Sequence, residues 1–162
     1  MWSAAILTGG KASRFGGQDK SALVVDGQTI LDRQLSALSL AASEVLIVGA
    51  GTPREGVRVV SDIVPGCGPL GGLHTALTLA ARDVVVVVAC DMPYVAAPFL
   101  AHLARLTEEA DAVVPHTERG YHPLCAAYTR ACLDPIARRL AEGRLTMMEA
   151  LTDLKVRVVA AE

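Results

Sequence analysis

Val84-Val85-Val86-Val87-Val88-Ala89-Cys90-Asp91 is the stretch that decides the fold. From Val84 to Ala89 no polar residue alternates with the apolar ones, and five of the six are β-branched. A strand with one wet face alternates apolar and polar side chains. A continuous apolar run belongs to a strand covered on both faces, as in a parallel sheet. The stretch therefore predicts a central strand with Asp91 emerging at its carboxyl end.

Working outward, strand and helix signals alternate along the chain. Ala4 to Leu7 is a short apolar run ending at Thr8-Gly9-Gly10, a strand running into a loop. Leu23-Val24-Val25 meets the turn signal Asp26-Gly27. Thr29 is a helix cap, and Ile30, Leu31, Gln34, Leu35 and Leu38 follow at helical spacing. Val45–Val48 and Val57–Val60 read as strands, the second ending at Ser61-Asp62. The Gly/Pro cluster Pro65–Gly72 reads as a loop, with a helix over Leu73–Ala81. Downstream, the pattern predicts a helix over Pro98–Leu106, strands over Ala112–Val114 and Leu124–Tyr128, helices over Pro135–Ala141 and Thr146–Leu151, and a last strand over Val156–Ala160. Such alternation predicts a three-layer open α/β sandwich, a mostly parallel sheet with helices on both faces. No repeat, linker or low-complexity tract divides residues 1–162, so a single domain is expected.

Composition narrows the function classes. The chain has 162 residues, 52% hydrophobic content and a net charge of −2, which suits a globular domain and argues against a nucleic-acid partner. The longest purely apolar run, Val84–Cys90, is seven residues; a spanning helix needs roughly 20, so no membrane partner is expected. Arg14 and Lys20 follow the first apolar stretch rather than precede it, unlike a secretory signal. The four cysteines include no C-x-x-C pair, which fits free thiols in a cytoplasmic protein. Arginine outnumbers lysine twelve to three, and asparagine is absent. Two of the three lysines, Lys11 and Lys20, fall in one glycine-rich segment with Arg14.

That segment, Thr8 to Lys20, has four glycines between Gly9 and Gly17. They permit backbone N–H groups to converge on an anion, with Arg14 and Lys20 adding full charges. A surface turn is the competing reading. The segment fits neither the P-loop pattern nor the dinucleotide fingerprint. Asp91, just past a buried strand, is placed to hold a metal facing a phosphate, or else to cap the next helix. Asp62 is placed either to touch a ligand or to serve a turn. Pro65–Gly72 either lets a base or sugar lie on the backbone or is a rigid connection. The four histidines show no zinc-ligand spacing, and no Ser-His-Asp or G-x-S-x-G arrangement appears.

Taken in order, Leu7-Thr8-Gly9-Gly10-x-x-x-Arg14-Phe15-Gly16-Gly17-x-Asp19-Lys20, Gly68-Pro69-Leu70-Gly71-Gly72, Cys90-Asp91-Met92-Pro93 and His122-Pro123-Leu124 resemble the molybdenum cofactor guanylyltransferase family of nucleotidyltransferases. The resemblance runs from about residue 3 to residue 151. It implies transfer of GMP from GTP to molybdopterin carrying molybdenum, with release of pyrophosphate. Carried over by position, Leu7, Thr8, Gly9, Gly10, Asp62 and Gly71 contact the nucleotide. Lys20 and Arg14 hold its phosphates, Asp91 holds Mg²⁺, and His122-Pro123 lies on the pterin side. The partners implied are GTP, the molybdenum cofactor and, transiently, other proteins of cofactor biosynthesis or molybdoenzyme maturation. Where the family usually has Ala, this chain has Thr8; cytidylyl relatives tend to carry Ala-Ala-Gly in place of Thr8-Gly9-Gly10. The family's C-terminal Asn-Val-Asn-Thr-like element has no counterpart in a chain without asparagine. The alternatives are a cytidylyl or sugar-phosphate nucleotidyltransferase of the same fold, and a non-catalytic nucleotide-binding remnant.

Overall fold

The computed structural model describes residues 1–8, 24–25, 27–49, 55–92 and 95–161. In chain order the elements are β1 (Ser3–Leu7), β2 (Val24–Val25), β3 (Gln28–Thr29), α1 (Ile30–Ser39), β4 (Glu44–Val48), β5 (Val57–Val60), α2 (Gly68–Leu79), β6 (Val84–Ala89), α3 (Ala97–Leu106), β7 (Ala112–Thr117), β8 (Gly120–Tyr121), β9 (Cys125–Thr129), α4 (Leu133–Ala141), α5 (Met147–Ala150) and β10 (Val156–Ala160).

The main sheet runs β10-β7-β9-β6-β1-β4-β5, with β8 hairpinned onto β7. β6, β1, β4 and β5 are parallel neighbours, as are β10 and β7. β9 lies antiparallel between β6 and β7. Its direction follows from its connection: only the tight β7–β8 hairpin and a few residues precede it, too few for a parallel crossover. β2 and β3 form a separate two-stranded hairpin turning at Gly27, whose φ of 83° favours glycine.

Strand alternation sorts the core into two layers. Ala5, Leu7, Leu46, Val48, Val85, Val87 and Tyr128 face α2, α4 and α5; Ala4, Ile6, Val45, Ile47, Val86 and Val88 face α1 and α3. The all-apolar β6 is thus covered on both faces, and the three-layer α/β architecture expected from the sequence is what the chain adopts. The Thr29 hydroxyl accepts from Asp32 N at 3.0 Å, capping α1, and all five positions of the expected stripe are buried.

The largest boundary difference lies at the start of α2. The cluster expected as a loop through Gly72 is already helical from Gly68. Pro69 stands in the first turn, where proline's missing N–H and fixed φ suit a helix start. Two of the glycines are used for packing. A Cβ on Gly71 would sit 2.9 Å from Cys67 Cβ and 3.3 Å from the Val64 carbonyl, whereas one on Gly72 would meet only Leu7 methyls at 3.4 and 3.5 Å. The two glycines should therefore respond oppositely to alanine. Gly72→Ala is expected to gain helix propensity of about 1 kcal/mol and raise the melting temperature by about 2–4 °C. Gly71→Ala should melt below wild type because the turn at Val64–Cys67 must move. Equal melting temperatures in thermal denaturation would refute this packing account.

All four cysteines are free, and Cys132 is fully buried. Burial pushes the Cys132 thiol up to about 11, and the Cys125 thiol upward as well. Since the thiolate is the reactive form, Cys132 should resist alkylation at pH 8 in the native protein. Denaturation without reductant should release four titratable thiols; two or none would reject the free-thiol assignment.

Candidate functional site

The parallel register places Ala89, Leu7, Val48 and Val60 in one row across β6, β1, β4 and β5. Beyond this row the strands run out at a common edge. The chain leaves β1 through α1 toward β4 and β5 on one side, then returns through α2 to β6 on the other. β1 is therefore the topological switch point, where the crevice beyond the strand ends is a natural ligand site. The glycine-rich segment starts there. Gly9, Gly10, Arg14 and Lys20 lie outside the described residues, as do Lys11 and Pro93.

The described residues at this edge are held by backbone bonds. Thr8 donates from both its N–H, at 2.9 Å, and its hydroxyl, at 3.0 Å, to the Val48 carbonyl. An alanine cannot make the second bond. Gly49 N donates to Val60 O at 2.8 Å. The segment after β5 is fixed to α2 by Thr75, whose hydroxyl accepts from Ile63 N at 2.9 Å and donates to Gly71 O at 3.0 Å. Asp62 sits just before that anchor, and its Oδ1 is buried with no hydrogen-bond partner. Native structures rarely leave a buried polar oxygen unpaired, so Asp62 holds an acceptor open at this edge. His74, on α2, has its Nδ1 buried without a partner, and burial lowers its pKa.

Asp91 occupies the turn Ala89–Met92 and is exposed. Four bonds fasten that turn. Cys90 N donates to Leu7 O at 3.2 Å, Ala89 N donates to Leu124 O at 2.9 Å, and Gln34 of α1 donates its Nε2 to Ala89 O and Met92 O, both at 2.8 Å. The helix-cap reading of Asp91 does not hold: α3 starts at Ala97, its N-cap is Ala96, and no side chain caps it.

His122 and Pro123 reach the same edge from β9. The register pairs Val88 with Cys125, so the chain enters β9 beside the point where it leaves β6. Tyr128, fully buried, donates its hydroxyl to Pro123 O at 2.6 Å, and burial drives its phenol pKa upward. His122 N donates to Pro115 O at 2.9 Å, and His122 Nε2 lies 2.7 Å from Thr117 Oγ1. Beside them the His116 and Tyr121 rings pack edge to face at 4.6 Å.

The structure thus brings Leu7, Thr8, Asp62, Asp91, His122 and Pro123 to one edge. Gly71 is set apart: buried in α2, with its N–H donated to Cys67 O at 3.4 Å, it is a packing position rather than open loop backbone. Asp62 and Asp91 are three strand spacings apart, about 14 Å by ladder geometry, too far to share one ion. Sequence reasoning missed the His116–Tyr121 pair and the clamp from Gln34. The signal for the latter was present, as a polar residue within an otherwise apolar stripe.

As to metal, the exposed Asp91 carboxylate supplies one hard oxygen donor group. That suits Mg²⁺, which binds through one or two carboxylates and completes its shell with substrate phosphates and water. Among the described residues no group of three His, Cys, Asp or Glu side chains gathers at one point, so a softer, all-protein cage has no support there. None of their helices is long and apolar enough to cross a membrane.

Comparison with known proteins bears on the family and the fold. The chain is 33% identical over 161 residues to a probable molybdenum cofactor guanylyltransferase of Clostridium perfringens, covering 97% of this chain and 80% of the relative. Among solved structures, the molybdopterin-guanine dinucleotide biosynthesis protein A of Archaeoglobus fulgidus superposes with a TM-score of 0.82 at 25% identity, over 98% of this chain and 83% of that one. The 2-C-methyl-D-erythritol 4-phosphate cytidylyltransferase of Thermus thermophilus shares the fold, with a TM-score of 0.72 at 18% identity over 98% of this chain and 88% of that one. Residues 4–156 match the family described as the MobA-like NTP transferase domain, and the chain is a nucleotidyltransferase belonging to that family.

Proposed function

We propose that this chain transfers GMP from GTP to the terminal phosphate of molybdopterin carrying molybdenum. A phosphate oxygen of the acceptor attacks the α-phosphorus, the bond to the β-phosphate oxygen breaks, and pyrophosphate leaves. The observation that carries this reading is the Ala89 N to Leu124 O bond of 2.9 Å. It ties the turn bearing Asp91 to the segment bearing His122 and Pro123, so donor and acceptor groups meet at one seam. The names of the relatives support the choice of GTP and molybdopterin.

In this reading the nucleotide lies along the strand ends from β5 to β6. Asp62, with its unpaired buried oxygen, accepts from hydroxyl or amide donors of the nucleoside. Leu7 and Thr8 lie against the nucleotide, Gly9 and Gly10 present backbone to its phosphates, and Lys20 and Arg14 bring positive charge. Gly71 acts indirectly, by letting α2 sit close to the Val64–Cys67 turn. Asp91 faces the triphosphate and holds Mg²⁺, which when bound supplies charge neutralisation for the leaving pyrophosphate. His122 and Pro123 line the acceptor side. The attacking atom belongs to the substrate, so the protein needs no activated nucleophile; its residues position and neutralise. The four free thiols support a reducing, cytoplasmic setting.

The test is a titration with GTP, CTP, UTP and ATP, each with and without Mg²⁺, followed by pyrophosphate release with molybdopterin supplied. Tight binding of GTP alone, strengthened by Mg²⁺ and followed by turnover, is expected. Stabilisation by CTP or UTP but not GTP would sink the guanylyl assignment. Binding without pyrophosphate release would make the chain a nucleotide-binding module.

A further inference from the structure

Helix α1 lays an apolar stripe on the sheet, and one position of that stripe is polar. Gln34 is fully buried in line with Leu31, Leu35 and Leu38. Its Nε2 donates to Ala89 O and Met92 O, both at 2.8 Å. Both partners are carbonyls, which only accept, so the amide has one workable orientation. These two carbonyls are the ends of the turn Ala89-Cys90-Asp91-Met92, which its own backbone closes only through Met92 N to Ala89 O at 3.3 Å. Gln34 Oε1 is buried with no hydrogen-bond partner. A leucine or methionine would fill this place in the α1 stripe without stranding an acceptor. Packing of the helix therefore does not account for the amide, whereas the turn it grips does.

We infer that Gln34 is a positioning residue: from α1 it clamps both ends of the turn and thereby fixes the direction in which Asp91 presents its carboxylate to the metal–triphosphate. The inference rests on the reading of Asp91 as the metal carboxylate. Cys90 N to Leu7 O and Ala89 N to Leu124 O hold the start of the turn, and these bonds do not by themselves take from its Met92 end the freedom to rotate. Two donors from one rigid amide on a packed helix remove that freedom. Asp91 itself is exposed and gains no fixed direction from burial. The device is a supporting hydrogen bond that orients a ligand.

The test compares Gln34→Met, Leu35→Ala and Asp91→Asn, with Gln34→Glu as a second probe of the same position. Leu35 is the buried neighbour on the same helix, so its truncation loosens α1 without touching the turn. The readouts are the unliganded melting temperature and the affinity for Mn²⁺ in the presence of GTP, followed by electron paramagnetic resonance. Gln34→Met keeps the volume and removes both donors. It is expected to weaken Mn²⁺·GTP binding by about tenfold or more, with no greater thermal loss than Leu35→Ala, which should keep wild-type metal affinity. Gln34→Glu, with one donor at most, should shift the affinity the same way, and it decides the matter if Gln34→Met does not fold. Wild-type metal affinity in the Gln34 variants, with Asp91→Asn strongly impaired, overturns the inference alone. So does equal metal loss in Leu35→Ala and Gln34→Met, which would make the effect one of helix packing. Undiminished metal binding in Asp91→Asn overturns the reading of Asp91, and the inference with it.

Discussion

Asp91→Asn is expected to reduce transfer by on the order of a hundredfold or more while leaving the unliganded protein folded. The residue is exposed on its turn, so removing its charge changes neither burial nor packing, and the melting temperature without ligand should move little. The turn is fastened through the backbone of Ala89, Cys90 and Met92, none of which is altered. What changes is the anionic oxygen offered to the metal. Asparagine keeps a carbonyl oxygen, but Mg²⁺ takes few protein ligands and depends on the charge of those it has. GTP affinity should therefore lose most of its Mg²⁺ dependence together with turnover. Turnover and unliganded melting temperature, measured on this one variant, settle the assignment; near-normal Mg²⁺-dependent transfer would falsify it.

Lys20→Ala should carry the second-largest effect. In the proposed reading Lys20 takes the place of the family's phosphate lysine, and Lys11 is given no ligand contact. A charge-assisted contact to a phosphate oxygen contributes roughly 1.5–3 kcal/mol, so triphosphate affinity should fall about tenfold or more in Lys20→Ala. Lys11→Ala, measured in parallel by isothermal titration with GTP and Mg²⁺, should lose much less. Equal losses would mean that the segment acts through its overall charge and that neither lysine makes a directed contact.

The fold was legible because its signals are local and strong. Val84–Ala89 has no polar residue to face water, so it had to be covered on both sides. Thr29 and the stripe behind it carry a cap and a period that admit little else. The Pro65–Gly72 cluster misled because glycine and proline break structure in most contexts. Here Pro69 stands at a helix start, where it is tolerated, and Gly71 is small because Val64 and Cys67 leave no room for a Cβ. For the site, Asp62 and Asp91 could be singled out from sequence because each follows a strand, whereas His122-Pro123 came only from the resemblance to a family. That His122 and Pro123 join the same edge could not be read, because it depends on β9 entering the sheet antiparallel between β6 and β7. Gln34 was hidden for a similar reason: its partners are backbone carbonyls 55 and 58 residues away, and a carbonyl has no letter in a sequence.

The seam between β6 and β9 also bears on how far such a protein can drift. The fastening of Ala89 to Leu124, like the strand pairing that continues from it, is made of main-chain atoms, which every substitution except proline preserves. Selection can therefore rewrite the side chains along both strands, keeping only their bulk, without moving the turn that bears Asp91 relative to the segment that bears His122. This chain and its clostridial relative differ at two aligned residues in three, a divergence that main-chain pairing of this kind tolerates.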